Sequence, residues 1–565
     1  MTEATLPAAA GRPEEHPFVE VDPRTRFEIL GAIMLGLFLA ALDQTIVGPI
    51  LPRVVGDLNG ADLYTWVVTA YLLTSTVTVP IYGKLSDLFG RKPMLMIGIS
   101  LFLVGSALSS LSQEMWQLIL FRGIQGLGAG SLFPIALAVI GDLFTPAERG
   151  KYQGLFGAVF GIAFLVGPGL GGFLTDTWSW HWVFLVNIPI GLVALLVIGR
   201  LLPTVRRPDA ARNIDYLGVA TFTAALVPIL IGLTNAQSGD WGSVGVWGLI
   251  LLGVAFLGVF VLVERQAPEP MIPLGLFRIP SFTLSMVAVF TAMFGFFSAV
   301  VFLPLWFQVV QGSSATASGY NLLPFLFGLI LSSVVSGQIV SRTGHYKWIV
   351  VGSLALATVG LVLFTNLRAD TPNQVLWAWM AVMGVGIGPT MAVFTIIVQN
   401  AVPISKLGAA TADLTLFRQI GGTVGLTFGF TLFRSFLTND LLKEQFTAAG
   451  VPAQIVSSIP SGGSFSGDVA QVGGADPIQQ FIAQAPAQVQ PMLQQYVGNF
   501  ESGFHQAFSI ALANSFWLGV GAMLAGVLAT LFLRELPLRR HLGEVAQADG
   551  GSAGADSSVP VAAFD

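Results

Sequence analysis

The sequence predicts an all-α polytopic membrane protein with fourteen spans: two six-helix bundles that repeat one another in parallel, and a pair of linker helices between them. Three observations predict it. Of 565 residues, 54% are hydrophobic and only 10% charged, where a soluble domain carries about 25% charged residues. Apolar stretches of about 20 residues, the length that crosses a ~30 Å hydrocarbon core, recur along the chain. Glycine patterns also return at a near-constant interval: Gly83 and Gly90 as Gly337 and Gly344, and Gly167 and Gly171 as Gly421 and Gly425, 254 residues on. Gly126, Gly128 and Gly130 return as Gly384, Gly386 and Gly388, 258 residues on. Two parallel halves related by an axis along the membrane normal leave this trace.

The six spans of the first half fall near 28–50, 64–83, 94–112, 115–140, 155–174 and 183–202. The linker, 203–280, contains two more, near 214–234 and 246–264. The second bundle, 281–533, has spans near 281–310, 318–340, 348–366, 375–399, 409–434 and 507–533. Before them lies a polar tail, 1–27, with no apolar core or cleavage site of a leader. After them, 534–565 is rich in Gly, Ala, Ser and Asp and is expected to be disordered. One long connection, 437–505, has Gln479, Gln480, Gln484, Gln488, Gln490, Gln494 and Gln495 at helix-compatible spacing. It is either an extension of the last two spans that shapes an exit or a partly disordered loop.

Basic residues orient the spans. With the N-terminus in the cytoplasm, 20 of the 26 Lys and Arg fall on the cytoplasmic side, among them Arg91, Lys92, Arg149, Lys151, Arg539 and Arg540. Arg53, Arg368, Arg434 and Lys443 fall outside, and Arg122 and Arg418 within the membrane. This asymmetry puts both termini in the cytoplasm. Cysteine is absent and the five histidines are scattered, so metal chemistry is not indicated. The small net charge of −5 argues against a nucleic-acid partner. No Gly-x-x-x-x-Gly-Lys-Ser/Thr run supports ATP hydrolysis, and no catalytic pair suggests an enzyme.

Chemistry is concentrated at a few positions. Asp43 lies deep in the first span, where an acid costs roughly 2.5–3.5 kcal/mol on insertion scales and needs water, a proton or a cation beside it. Arg122 opens Arg122-Gly123-Ile124-Gln125-Gly126 in the fourth span, with Gln125 on the same helix face. Counting from the span ends, Asp43 and Arg122 both lie roughly 10 Å deep and could meet. Between the second and third spans, Gly83 to Pro93 reads as a tight polar turn carrying Asp87 and Arg91. The fifth span contains Gly161 and ends in Gly167-Pro168-Gly169-Leu170-Gly171-Gly172, where proline bends the helix and glycine admits a close neighbour. In the second half, Arg418 sits near the midplane, beside Gln419 and a turn and a half after Asp413. A guanidinium there must be matched, so Arg418 is expected to line a central cavity with Gln125, Asp413 and Gln419, as counter-charge to Asp43 or Asp413. For Asp413 two readings stand side by side, an ion partner and a residue at the helix entrance.

The stretch with Gly83, Asp87, Gly90 and Arg91 resembles the signature loop between the second and third spans of the major facilitator superfamily. The Asp43 stretch is similar to the first-span motif of its fourteen-span drug:proton antiporter branch. Arg122-x-x-Gln125-Gly126 resembles the fourth-span motif linked to proton handling, and Gly161 to Gly172 the antiporter motif of the fifth span. The resemblance implies that Asp87 caps the thirteenth span and Arg91 pairs with Asp142, forming a latch between the halves. It further implies a bacterial inner-membrane exporter of small lipophilic drugs or amphiphiles, with protons as coupling ion, no other cofactor, and membrane lipids around a monomer. Export of a lipid or lipid-linked glycan is the alternative, and a non-transporting membrane sensor a third reading, against which the Asp43, Arg122 and Asp87 set argues. Lipid exporters of the branch carry an acid within the fifth-span motif, where this chain has Phe164, Leu165 and Val166.

Overall fold

The computed structural model describes residues 22–58, 63–144, 146–203, 214–237, 241–458 and 495–538. The first bundle consists of α1 (Pro23–Leu58), α2 (Tyr64–Phe89), α3 (Arg91–Ser109), α4 (Met115–Leu143), α5 (Pro146–Thr177), α6 (His181–Leu185) and α7 (Asn187–Leu201). The linker hairpin is α8 (Tyr216–Ala236) and α9 (Val244–Gln266). The second bundle consists of α10 (Pro280–Gln311), α11 (Ala315–Tyr320), α12 (Leu323–Thr343), α13 (Lys347–Phe364), α14 (Asn373–Ala401), α15 (Leu407–Phe436) and, after two short helices, α18 (Val497–Leu531).

Among the described residues, 13 helical stretches are long and apolar enough to cross a membrane, α6–α7 and α11–α12 each counting as one. The 30-residue α15 stands outside that set. It is the long helix that carries Asp413, Arg418 and Arg434.

Two expectations about connections are corrected. The polar turn expected at 83–93 is almost entirely helical: α2 runs to Phe89, α3 starts at Arg91, and Gly90 alone reverses the chain at φ 97°. That backbone region costs a glycine little and any other residue more, and Gly344 repeats it in the second half at φ 74°. The sixth span is likewise broken, at Val186 between α6 and α7. Pro189 has no N–H to offer the carbonyl one turn back, which opens the ladder there.

The connection expected over 437–505 is shorter, and its described residues include two helices. α16 (Asn439–Ala448) starts on a Thr438 cap that accepts from the Leu441 N–H at 3.1 Å, and α17 (Ala453–Ser458) follows. Phe446 packs edge-on to Phe500 at 4.9 Å, so α16 rests on α18, which begins ten residues earlier than expected because this apolar contact extends it. The glutamines from Gln479 to Gln494 lie outside the described residues, as do the two tails up to Val21 and from Arg539.

The repeat is visible in packing. A Cβ on Gly126 would lie 2.4 Å from the Tyr71 carbonyl oxygen of α2, and one on Gly384 2.1 Å from the Phe325 carbonyl oxygen of α12. Gly128 faces the backbone of Phe102 on α3, as Gly386 faces Ala357 on α13. Gly167 and Gly171 lie against α1 at Thr45 and Ile46, and Gly421 and Gly425 against α10 at Phe290 and Phe294. Helices approach this closely in lipid only through small residues.

Candidate functional site

Asp43 is fully buried and held by three donors from two helices, α4 and α7. Arg122 Nη1 donates to its Oδ2 at 2.6 Å, Gln125 Nε2 to its Oδ1 at 2.7 Å, and Asn187 Nδ2 to the same Oδ1 at 3.0 Å. Arg122 is 1% exposed and stacks over the Tyr71 ring, 4.2 Å from its centroid; its Nη1 also donates to Gln125 Oε1 at 2.7 Å. Asn187 Nδ2 is shared with Ser106 Oγ at 3.0 Å, and Ser106 in turn donates to the Phe184 carbonyl at 2.8 Å. The i, i+3 spacing of Arg122 and Gln125 aims both at α1, and Gly105 of α3 lets α4 close in behind Gln125. The charges are thereby matched and nearly every lone pair of the acid is used, as a buried ion pair requires.

Asn187 and Ser106 were not singled out in the sequence. The signal was there, an amide two residues before a proline inside an apolar span, but only the break between α6 and α7 brings its side chain to Asp43.

At one end of the bundles, called here the base, the halves are clasped together. Asp87 accepts from the Gly408 N–H at 3.1 Å and the Ala409 N–H at 2.9 Å, the first turn of α15. Arg91 Nη1 lies 2.6 Å from Asp87 Oδ1, and its Nε donates to Asp142 Oδ2 at 2.9 Å. An anion at free N–H groups and the positive end of a helix dipole is favourable. Gly83 allows the approach, since a Cβ there would fall 2.3 Å from that of Ala412. A polar clasp that sequence reading missed lies beside it: Gln153 Nε2 donates to Gln399 Oε1 at 2.8 Å, and Gln399 Nε2 to the Leu137 carbonyl at 3.1 Å.

The glycines of α5 serve two neighbours. Gly167 and Gly171 face α1, where Thr45 Oγ1 donates to the Ala163 carbonyl at 2.9 Å, two residues along from Asp43. Gly161 faces Ile330 of the other bundle. Gly172 meets nothing within 4 Å of a built Cβ. Pro168 bears on Gly319 of α11.

The expected pairing of Arg418 with Asp43 or Asp413 needs correction. Arg418 Nη2 donates to the carbonyls of Thr390 at 3.2 Å and Met391 at 2.9 Å and to Thr395 Oγ1 at 3.2 Å, so it binds α15 to α14 just past Pro389 and is counter-charge to neither acid. Asp413 is 1% exposed and sits among packed helices near Glu264 of the linker, away from Asp43. The reason is rotational: its neighbour Ala412 faces α2, which turns Asp413 towards the hairpin. Gln419 is partly buried, with Oε1 unpartnered.

Comparison with known proteins places this geometry. The model of the Major Facilitator Superfamily matches residues 33–426. The multidrug transporter protein MdtP of Bacillus subtilis is 34% identical over 526 residues, covering 91% of this chain and 94% of that protein. Multidrug resistance protein 3 of the same organism is 34% identical, with 86% and 92% covered, and the efflux pump dotC of Dothistroma septosporum 33% identical, with 72% of each covered. Among solved structures, the human organic anion transporter MFSD10 matches with a TM-score of 0.57 at 15% identity, covering 89% of this chain and all of that one. The proton:xylose symporter XylE matches with a TM-score of 0.54, also at 15% identity, covering 91% and 97%. The chain belongs to the Major Facilitator Superfamily and is a multi-pass membrane transporter.

Proposed function

We infer that the protein exports lipophilic drugs or similar amphiphiles across a bacterial inner membrane by alternating access, in exchange for protons bound at Asp43. It works as a monomer, with the base and both termini in the cytoplasm. The observation that carries this reading is the fully buried Asp43 with its donors Arg122, Gln125 and Asn187 drawn from α4 and α7. Matched in this way, a carboxylate is stable without a proton. When α1 moves relative to α4 and α7, the donors withdraw, and a proton is what then neutralises the charge in an apolar core. Release and uptake therefore follow conformation, which is the requirement of an antiporter.

Three further observations support the reading. The base is sealed by the Asp87 and Gln153–Gln399 clasps, so the structure is the conformation closed on that side. Basic residues gather at the same side, 20 of 26 by the count above. The relatives at 33–34% identity are named for multidrug transport, multidrug resistance and efflux.

The test is gradient-driven efflux of a dye panel, alongside labelled lipids, from proteoliposomes. Asp43→Asn is expected to abolish proton-driven export of dyes while the protein stays folded. Undiminished efflux by Asp43→Asn would overturn the reading, and export of lipids alone would replace the cargo.

A further inference from the structure

A second pair of acids lies buried where the linker hairpin meets α15. Glu264, in the last turn of α9, is 3% exposed. Its Oε1 accepts from the N–H groups of Met271 and Ile272, both at 3.1 Å, folding the return segment back under the hairpin, while Oε2 is buried without a partner. Asp413, on α15, is 1% exposed, and neither of its oxygens has a hydrogen-bond partner. Both border one apolar cluster: Met271 and Ile272, whose N–H groups Glu264 holds, and Ala412, next to Asp413, all belong to it. Around them is an apolar seam that includes Phe222, Phe260, Ala412 and Leu416.

The neighbouring charges are already matched or are acids themselves. From α2, Lys84 Nζ is 2.6 Å from Glu269 Oε2 of the return segment, and Arg91 is held by Asp87 and Asp142. From α8, Asp215 caps its own helix by accepting from the Gly218 N–H at 2.7 Å, its Oδ2 unpartnered. Arg418, further along α15, is turned to the carbonyls of α14. At the base of α18, Glu535 accepts from the Tyr346 N–H. Among the described residues, no Lys or Arg forms an ion pair with Glu264 or Asp413. A cleft of about 400 Å³, lined by Asp215, Val263, Gln266 and Glu269 among others, opens beside the turn of α9 that carries Glu264.

We propose that Glu264 and Asp413 form a proton-binding site, distinct from Asp43, that holds the linker hairpin against the second bundle. Two buried carboxylates without an ion-paired cation repel each other and lack solvation; one bound proton removes the repulsion and leaves a single charge, on the acid that the Met271 and Ile272 N–H groups or nearby water can solvate. That proton enters from water in the cleft and returns to it, with no other group transferred. With it bound, the hairpin stays packed on α15 through α8; without it, the seam carries two like charges and loosens. The site does not depend on the role assigned to Asp43.

Purified full-length protein tests this without substrate or gradient. Infrared difference spectra between acid and alkaline buffers are expected to show a protonated-carboxyl band that is lost on raising pH. Glu264→Gln and Asp413→Asn should each lose that band, and Asp43→Asn should keep it. Persistence of the band in both seam variants, or its disappearance only in Asp43→Asn, would overturn the proposal. Because a variant could lose the band by misfolding, spin-label distances between α9 and α15 are read on the same samples. The wild-type distance should lengthen as pH rises, and in Asp413→Asn it should stay at the short value at every pH. An identical pH response in wild type and Asp413→Asn would also overturn it.

Discussion

The two bundles share a backbone plan but differ in what they bury. On α4, Arg122 and Gln125 face Asp43; at the equivalent points of α14, fixed by the glycine repeat, stand Met380 and Met383, both fully buried. The equivalence holds in packing, since Gly105 lies against the backbone of Gln125 as Gly360 lies against that of Met383. Where α1 brings Thr45 and Ile46 to α5, α10 brings Phe290 and Phe294 to α15. The first half thus holds a hydrogen-bonded ion pair inside a split core, and the second is bound by one continuous, phenylalanine-rich cluster. In the proposed antiport, the first half is the one that changes its protonation and the second the rigid body it moves against.

The base shows the same contrast. Asp87 caps α15, and its repeat partner in α12 is Ser341, close to Gly150 of α5. The repeat mate of Leu407, where α15 begins, is Gln153, yet α5 begins two turns earlier at Pro146. The N–H groups that an acid at 341 would cap are therefore already bonded inside α5. The asymmetry of the latch follows from this difference in helix start.

The largest effect should come from making the first half like the second. Arg122→Met leaves Asp43 buried and unmatched, and should lower stability by about 3–5 kcal/mol and abolish coupled efflux. Adding Asp43→Asn should recover most of the stability and none of the efflux; thermal unfolding and dye efflux on the same preparations check both. Arg418→Ala should cost about 1.5–3 kcal/mol, the worth of charged hydrogen bonds, with efflux falling in step with folded protein. Lysine there should restore part of it, because a point charge cannot reproduce the planar fork. A stable Arg418→Ala protein without coupled efflux would show that its role extends beyond tying α15 to α14.

Asp87→Asn should lose a few tenths to ~1 kcal/mol of interaction with the α15 terminus. Spin labels on the base ends of α2 and α15 should then report a population at longer distance, and an unchanged distribution would count against the clasp. The smallest effect is expected from Ser341→Asp in the Asp87→Asn background. With no free N–H groups to meet it, the new acid should leave that distance distribution as it was. A return to the short distance would mean that the two latches are interchangeable after all.

Much of this was legible in the chain. Apolar length and low charge determined the spans, because a bilayer leaves a helix no other way to satisfy its backbone. Glycine spacing determined the repeat, since close helix crossings tolerate no Cβ, and the depth estimates for Asp43 and Arg122 put them at a level where they do meet. Tertiary structure alone decided the partners. Rotation of a helix about its axis by one residue separates Ala412, which faces α2, from Asp413, which faces the linker hairpin. Nothing in local sequence sets that angle. The third donor on Asp43 depended on a break at Val186 that lifts Asn187 out of line, and no motif marks the α14 carbonyls that hold Arg418. Sequence determined which groups must be neutralised inside the membrane, because burial makes an unmatched charge costly wherever it lies; the fold decided which neighbour does so, because hydrogen bonds depend on orientation within a few tenths of an ångström.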